Sequence, residues 1–422
     1  MPGSSHARPA VPGGRPGAGP EHRDAFPVGA AVTMDDLEGE LHPVLRRLRE
    51  REPVSWLPVL GGWLVTRRDL ALRVLRDSQA FTVDDPRFST ARVVGPSMLS
   101  LDGAEHKRHR DPFAEAFRVA EVQGRLEEFV EAEAGRLVAG FAPAGRAELR
   151  RALAGPLAVA VVAEVLGLAE ADPAVILSWY DAIVAAVSAF AGESAVPGPA
   201  ARTEPPESQA ARGAEAFGRL RESLQAVITR PDGGSLLAAA AGARGLRDGE
   251  VVSNAAVLMF GGIETTEGMI CNAVLHLLGE PAQLHQVLAD PALAANAVEE
   301  SLRLEPAAAV VDRYATADVT LGPAAIRRGD FVTVSLAGAG RDPAFFPDPD
   351  RFDVHRENAR QNLAFAHGPH FCLGAHLARL EARAAILALL RALPGLRLDP
   401  GRPAAPRGVL FRKPPALHVL WD

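Results

Sequence analysis

Phe365-Ala366-His367-Gly368-Pro369-His370-Phe371-Cys372-Leu373-Gly374 is the stretch that decides how the chain folds. Up to Pro369 it carries loop and turn formers. From Ala375 to Leu390 the chain turns to Ala, Leu, Arg and Glu with apolar residues three and four apart, the pattern of a helix. Cys372 therefore stands just before a helix N-terminus, where backbone N–H groups and the helix dipole stabilise a thiolate. Gly368 and Gly374 allow close backbone approach to a flat ligand. A small buried cysteine with no chemistry is the ordinary alternative. The electropositive loop-to-helix setting favours the reactive one.

Outward from this loop, the rest of the chain narrows the possibilities. There are two cysteines, Cys271 and Cys372, which excludes a disulfide framework and a zinc site built from several cysteines. Cys271 falls in a long apolar helix and reads as core. Lys and Arg number 45 against 52 Asp and Glu, a net charge of −7, which argues against nucleic acid as the main partner. Hydrophobic residues at 48% and charged residues at 23% exclude a wholly disordered chain. The longest run without a charged residue, Gln361 to Ala378, holds three histidines and a proline, so no membrane anchor is expected. The opening MPGSSHARPAVPGGRPGAGP lacks an apolar signal core, so the expected compartment is the cytosol, with both thiols reduced.

Residues 1–24 are rich in Pro, Gly, Ser and Arg and predict a disordered tail. The proline-rich stretch Gly192 to Ser208 predicts a long loop between helices. Helical periodicity is expected over 35–51, 68–77, 104–118, 121–141, 149–168, 172–191, 209–230, 250–279, 281–289, 292–304 and 374–392. Strands are expected over 54–66, 308–320, 330–336 and 406–420. The fold class is mainly α with small β-sheets, without βαβ alternation. The 250–279 helix has no proline and at ~1.5 Å per residue would cross a whole domain.

Three further patterns carry chemistry. Glu300-x-x-Arg303 puts an acid and an arginine on one helix face, where they can pair bidentately or simply be solvated. Met259 to Thr266 sets Gly261-Gly262 ahead of Glu264-Thr265-Thr266. The glycines weaken the helical ladder and can open it, and the acid beside them reads as a proton relay or as a satisfied packing residue. His106 and Arg110, at i and i+4, can clamp an anion.

Taken in order, the four patterns resemble the cytochrome P-450 family, from about residue 35 to the C-terminus. Phe365, Gly368, His370, Cys372 and Gly374 match its haem-binding signature, Glu300 and Arg303 its Glu-x-x-Arg pair, Glu264 and Thr265 its acid–threonine pair, and His106 and Arg110 its propionate motif. Asp312-Arg313 and the run from Arg341 to Pro349 are also family-like. Two departures are Ala366, where the family usually has Gly, and Arg327-Arg328-Gly329, where it often has Pro-Ala-Gly.

The resemblance implies a haem-thiolate monooxygenase of the soluble bacterial type. One domain, 25–422, would hold haem b with Cys372 as the iron ligand. His106, Arg110, Arg313 and His370 would neutralise the propionates, and Gly261, Phe365 and Gly374 would line the haem site. Glu264 and Thr265 would supply protons for oxygen activation, and Glu300 and Arg303 would hold the loop after Arg341. The reaction would insert one atom of O2 into a largely apolar substrate, in natural-product tailoring to judge by the Ala, Arg, Gly and Pro bias. The chain has no Gly-x-Gly-x-x-Gly fingerprint, so a ferredoxin and its reductase would bring the electrons to a monomer. Its docking face would be basic, with Arg108, Arg118 and Arg379 as candidates. The substrate segments would be 83–99, 180–215, 257–261, 307–311 and 408–411. They contain Val83, Phe88, Val93, Met98, Val257, Val310, Val311, Val409, Leu410 and Phe411, with 192–208 as a lid. Alternatives are coupling or desaturation on the same fold. A non-catalytic haem or carrier-recruitment protein is disfavoured by the intact Cys372 and Glu264-Thr265.

Overall fold

The computed structural model describes residues 20–168, 171–192, 206–229, 236–242 and 245–422. Most of the expected tail and of the expected lid therefore lies outside the described residues. Residues 20–24, expected within that tail, belong to the helix Pro20–Ala25.

Five helices build the site: α1 (Gly103–Ala114), α2 (Gly155–Leu166), α3 (Asp248–Gly279), α4 (Ala294–Leu304) and α5 (Ala375–Ala392). α3, 32 residues long, carries buried side chains along most of its length and packs against α2, α4 and α5. Apolar on every side and free of proline, it is stable only as the centre of the molecule. Its first turn is pinned by charge: Glu250 accepts from the Arg247 N–H and from Arg108 on α1. Those bonds, Arg108's first, hold Glu250 well below the usual carboxylate range. One turn on, Asn254 bonds His109 and accepts from the Met98 N–H at 2.7 Å, fixing the 95–100 segment to α3.

The sheet at one side is five-stranded. Its strands are β1 (Val54–Leu57), β2 (Gly62–Val65), β3 (Phe81–Thr82), β4 (Val310–Ala315) and β5 (Phe331–Ser335), in the order β1-β2-β5-β4-β3. Only the β2–β5 pair is parallel. In the β4–β5 register Asp312 faces Thr333 and Arg313 faces Val332.

α4 ends in the most deeply buried ion pair. Glu300 and Arg303, both fully buried, meet bidentately at 2.7 Å. Arg303 also donates to the carbonyls of Gly340, Pro349 and Arg351, while Glu300 accepts from the Asp353 N–H and from Arg356. Such a pair offsets its desolvation only when every remaining donor is used, as here. It staples the 340–356 segment to α4.

Several elements differ from their expected extents. The 35–51 helix is broken between Met34–Glu38 and Leu41–Arg51 at Gly39, and 121–141 is broken at Leu126. The 149–168 pattern opens with a π-helical turn, Arg150–Ala154. Within 406–420 only His418–Leu420 is a strand, because Pro406, Pro414 and Pro415 interrupt the run. The α3 ladder is not opened at its two glycines. Gly262 is a packing notch, since a Cβ there would come within 2.6 Å of Val162 on α2.

The 363–374 loop is a tight device. The Cys372 N–H donates to the Phe365 carbonyl at 2.9 Å. Gly368, at φ 75°, presses its backbone against the Leu75 carbonyl, 2.5 Å from where a Cβ would sit. Ala366 adopts φ 58°, a left-handed conformation that an L side chain resists by roughly 1–2 kcal/mol. Ala366→Gly is therefore expected to raise stability by about 0.5–1 kcal/mol, after the greater chain entropy of glycine is subtracted. A urea titration showing the midpoint moving up at unchanged slope is the expected result; a lower midpoint would contradict the strain.

Candidate active site

The middle of α3 and the 363–374 loop face each other across a cavity of about 330 Å³. On the loop side stand Phe365, His370, Cys372 and Gly374. On the α3 side stand Val257, Gly261 and Thr265. A Cβ at Gly261 or at Gly374 would touch nothing within 4 Å, so both open onto free space. The remaining walls hold Val83, Phe88 and Met98, β4 from Val310 to Arg313, Arg110 from α1, and Leu410 and Phe411. Four residues expected at the pocket, the cofactor or the chemistry do not line it. Val93 packs against the helical core, Val409 against the core cluster that holds Leu57 and Leu64, His106 is buried with its ring 4.4 Å from that of His370, and Glu264 is paired elsewhere.

Cys372 is exposed, and it lines the cavity. Desolvation pushes its thiol up, and the Gly374 N–H, Arg110 and Arg379 only partly oppose this. Helix entry alone therefore does not make the thiolate expected from the sequence; a bound metal ion would.

Near the thiol lies a cationic group short of anions. Arg110 and Arg313 line the cavity, and among the described residues each makes one hydrogen bond, to the Phe371 carbonyl and the Asp312 carbonyl, both at 2.7 Å. Burial lowers the pKa of both arginines. The His106 ring lies 4.4 Å from that of His370, and its Nε2 is buried without a hydrogen-bond partner. Burial, then the His370 and Arg110 charges, pull His106 down to about 4. His370 is engaged with Asp102 at 2.8 Å. Burial would raise Asp102, but hydrogen bonds from His370, Thr82 and the Val83 N–H hold it at about 2. An orphaned imidazole nitrogen, two under-used guanidinium groups and two side-chain-free backbone faces fit a flat dicarboxylate such as haem, with Cys372 beneath its metal.

The acid and the threonine of α3 are placed differently. Thr265 lines the cavity and donates its hydroxyl to the Gly261 carbonyl at 2.6 Å. Glu264 turns away and pairs with Lys413 at 2.7 Å. Lys413 also meets Glu267 at 3.0 Å, and Glu267 bonds Arg150. Lys413 lies two residues past Phe411, and the Phe411 ring rests edge-on against Phe260 of α3.

Several residues at the site escaped the sequence. Lys413 and Asp102 are far in the chain from the groups they pair with. Asp312 had been noted only as part of a family-like dipeptide. Glu381, fully buried on α5 with Oε2 unpartnered, lines the cavity floor, and burial lifts its carboxyl far above the usual range. Of the arginines expected at a docking face, Arg108 is tied to Glu105 and Glu250, and Arg379 to Glu299 with its guanidinium over Phe365. Arg118 is 70% exposed beside Glu115.

A family model, cytochrome P-450, matches residues 219–394. The chain is 36% identical to the cytochrome P-450 monooxygenase PikC of Streptomyces venezuelae over 406 residues, 92% of each chain. It is 35% identical to the mycinamicin IV hydroxylase/epoxidase of Micromonospora griseorubida, over 89% of this chain and 94% of that one. Among solved structures, CalO2 superposes with a TM-score of 0.82 at 30% identity, covering 92% of this chain and 99% of that one. Among the described residues no helix is long and apolar enough to cross a membrane. With such extents of identity the chain belongs to the cytochrome P-450 family, the monooxygenases that use haem b and O2.

Proposed function

We propose that this protein inserts one atom of O2 into a largely apolar organic substrate as a tailoring step on a natural product. The observation that carries this reading is the cavity, with the Cys372 thiol on one wall, a hydroxyl-bearing helix on the other, and aliphatic and aromatic side chains around them. The relative named for hydroxylation and epoxidation of mycinamicin IV supports the tailoring role. In this reading residues 25–422 act as one domain, a cytosolic monomer that a ferredoxin and its reductase supply with electrons, and Arg118 is the most available of the candidate docking arginines.

Bound haem b supplies an iron that, with two electrons, activates dioxygen for insertion. The chain's residues do the rest. Cys372 is the iron ligand, and its low-dielectric setting makes the thiolate depend on the metal. Arg110, Arg313 and His106 take the two propionates, with His370 held in place by Asp102. Thr265 presents its hydroxyl oxygen at the cavity wall with its proton directed to Gly261. Glu264, next to Thr265 in the chain, is the proton source, and Lys413 pairs with that carboxylate outside the cavity. The apolar walls exclude water and orient the substrate.

Two measurements test this. Holoenzyme supplied with reduced ferredoxin and isotopically labelled O2, plus a ligand that shifts the haem to high spin, is expected to give product carrying one labelled oxygen atom. Unlabelled oxidised product, or coupled or desaturated product alone, would overturn the insertion reading. Glu264→Gln is expected to lower turnover by about tenfold or more with KM unchanged, as loss of a proton-delivering group requires, and Glu264→Asp is expected to restore part of it. Unchanged turnover in Glu264→Gln would remove Glu264 from the proton path.

A further inference from the structure

Along β4 the cavity lining begins apolar, with Val310 and Val311, and turns charged at Asp312 and Arg313. Among the described residues the Asp312 carboxyl receives one hydrogen bond, from Thr333 Oγ1 across the β4–β5 ladder at 3.2 Å. The adjacent guanidinium does not neutralise it directly, because Arg313 Nη1 donates to the backbone carbonyl of Asp312 rather than to its carboxylate. Asp312 is open only in part, and it is among the cavity-lining residues. Burial, the largest influence, lifts its carboxyl to about 6 against the opposing effects of Thr333 and Arg313.

Among the described residues the buried acids Glu300, Glu305 and Glu267 each meet a cationic side chain directly, while Glu52, Asp330 and Asp342, away from the cavity, each accept two or more hydrogen bonds from backbone or neutral side-chain donors. Asp312, on the cavity, has neither kind of support, and Glu381, also on the cavity, leaves Oε2 unpartnered. An acid in an apolar cavity with one neutral hydrogen bond is unfavourable unless something else compensates it, and such groups cluster where ligands bind. A cationic nitrogen compensates most fully, because its charge neutralises the carboxylate, and a protonated amine adds hydrogen bonds to that attraction.

We infer that Asp312 is a specificity residue that recognises a basic amine on an otherwise apolar substrate. This rests on the monooxygenase reading and sharpens its substrate class. The amine sits at β4, beside the Arg313 edge of the cavity, and its position there sets which part of the apolar body lies over Cys372. Asp312 contributes affinity and orientation, not chemistry.

The test uses two probes of the same shape, benzyltrimethylammonium, which cannot ligate iron, and its neutral carbon isostere neopentylbenzene. Dissociation constants are measured by equilibrium dialysis against haem-loaded wild type, Asp312→Asn and Asp312→Glu, with haem content and the reduced-CO spectrum recorded for each. The wild type is expected to favour the cation at least tenfold. Asp312→Asn is expected to bring the two probes within about threefold by weakening the cation alone, and Asp312→Glu to keep the cation preferred. Equal binding of both probes by the wild type, binding of neither, or an unchanged preference in Asp312→Asn would overturn the inference. So would loss of haem confined to Asp312→Asn, which would make Asp312 a propionate partner. A wild type without a thiolate-type CO spectrum would instead defeat the monooxygenase reading itself.

Discussion

The hydrogen bond from the Cys372 N–H to the Phe365 carbonyl closes the loop that presents the thiol, and much of the molecule serves to keep that loop at a fixed height beneath α3. Gly368 is wedged against the Leu75 carbonyl on one side, and Asn362 is bonded to Glu299 of α4 on the other. Through α4 the same anchoring reaches the Glu300–Arg303 pair and the segment it staples. Opposite, α3 is fixed at its first turn by Arg108 and His109 from α1 and along its length by α2, α4 and α5. Two rigid walls set the gap between thiol and Thr265. A site that must orient a substrate to within a fraction of an ångström needs this kind of support.

The charges of the interior divide into two sets. Those whose task is structural are answered by the protein itself: Glu305 by Arg412 and His42, Glu300 by Arg303 and Arg356, Glu267 by Arg150 and Lys413. Those at the cavity are not. His106 Nε2, Arg110, Arg313, Asp312 and Glu381 Oε2 each have spare hydrogen-bonding capacity and lie together at or beside the cavity, whereas the other unpartnered buried atoms, such as Trp56 Nε1 and Asn272 Oδ1, are scattered through the interior. Buried polar groups are rarely left so without a partner. Three of these spare groups are cationic or neutral donors near Cys372, suited to carboxylates. Asp312 is of opposite character and stands on the wall where an organic ligand would lie. Glu264 belongs to both sets, since it is paired with Lys413 yet adjacent in sequence to the cavity's hydroxyl.

Much of this was legible before the structure. The loop-to-helix setting of Cys372, the i, i+3 spacing of Glu300 and Arg303, and the proline-free run of α3 are local patterns, and local patterns survive translation into sequence. The 250–279 expectation lies close to the observed Asp248–Gly279 for that reason. What was not legible depends on distant partners. Nothing around Lys413 indicates that it reaches Glu264, and nothing around Asp102 indicates that it engages His370. Glu381 reads in sequence as a solvated helix residue, because its burial is decided by what packs over α5. Gly261 and Gly262 were read together as a weakness in the helix, but they do separate things, one opening onto the cavity and one admitting Val162. The 406–420 run has the composition of strands, and its prolines leave one short strand, His418–Leu420, and isolated bridges such as Ala308 with Phe411.

The account stands on Cys372 as the iron ligand, and the reduced-CO difference spectrum is its most direct measurement. Haem-loaded wild type must give the long-wavelength Soret band of a thiolate-ligated carbonyl complex, and Cys372→Ala, if it retains haem, must lose that band. A wild-type band at the position of a neutral-ligand haem, or a thiolate band that survives in Cys372→Ala, would contradict the assignment of the site.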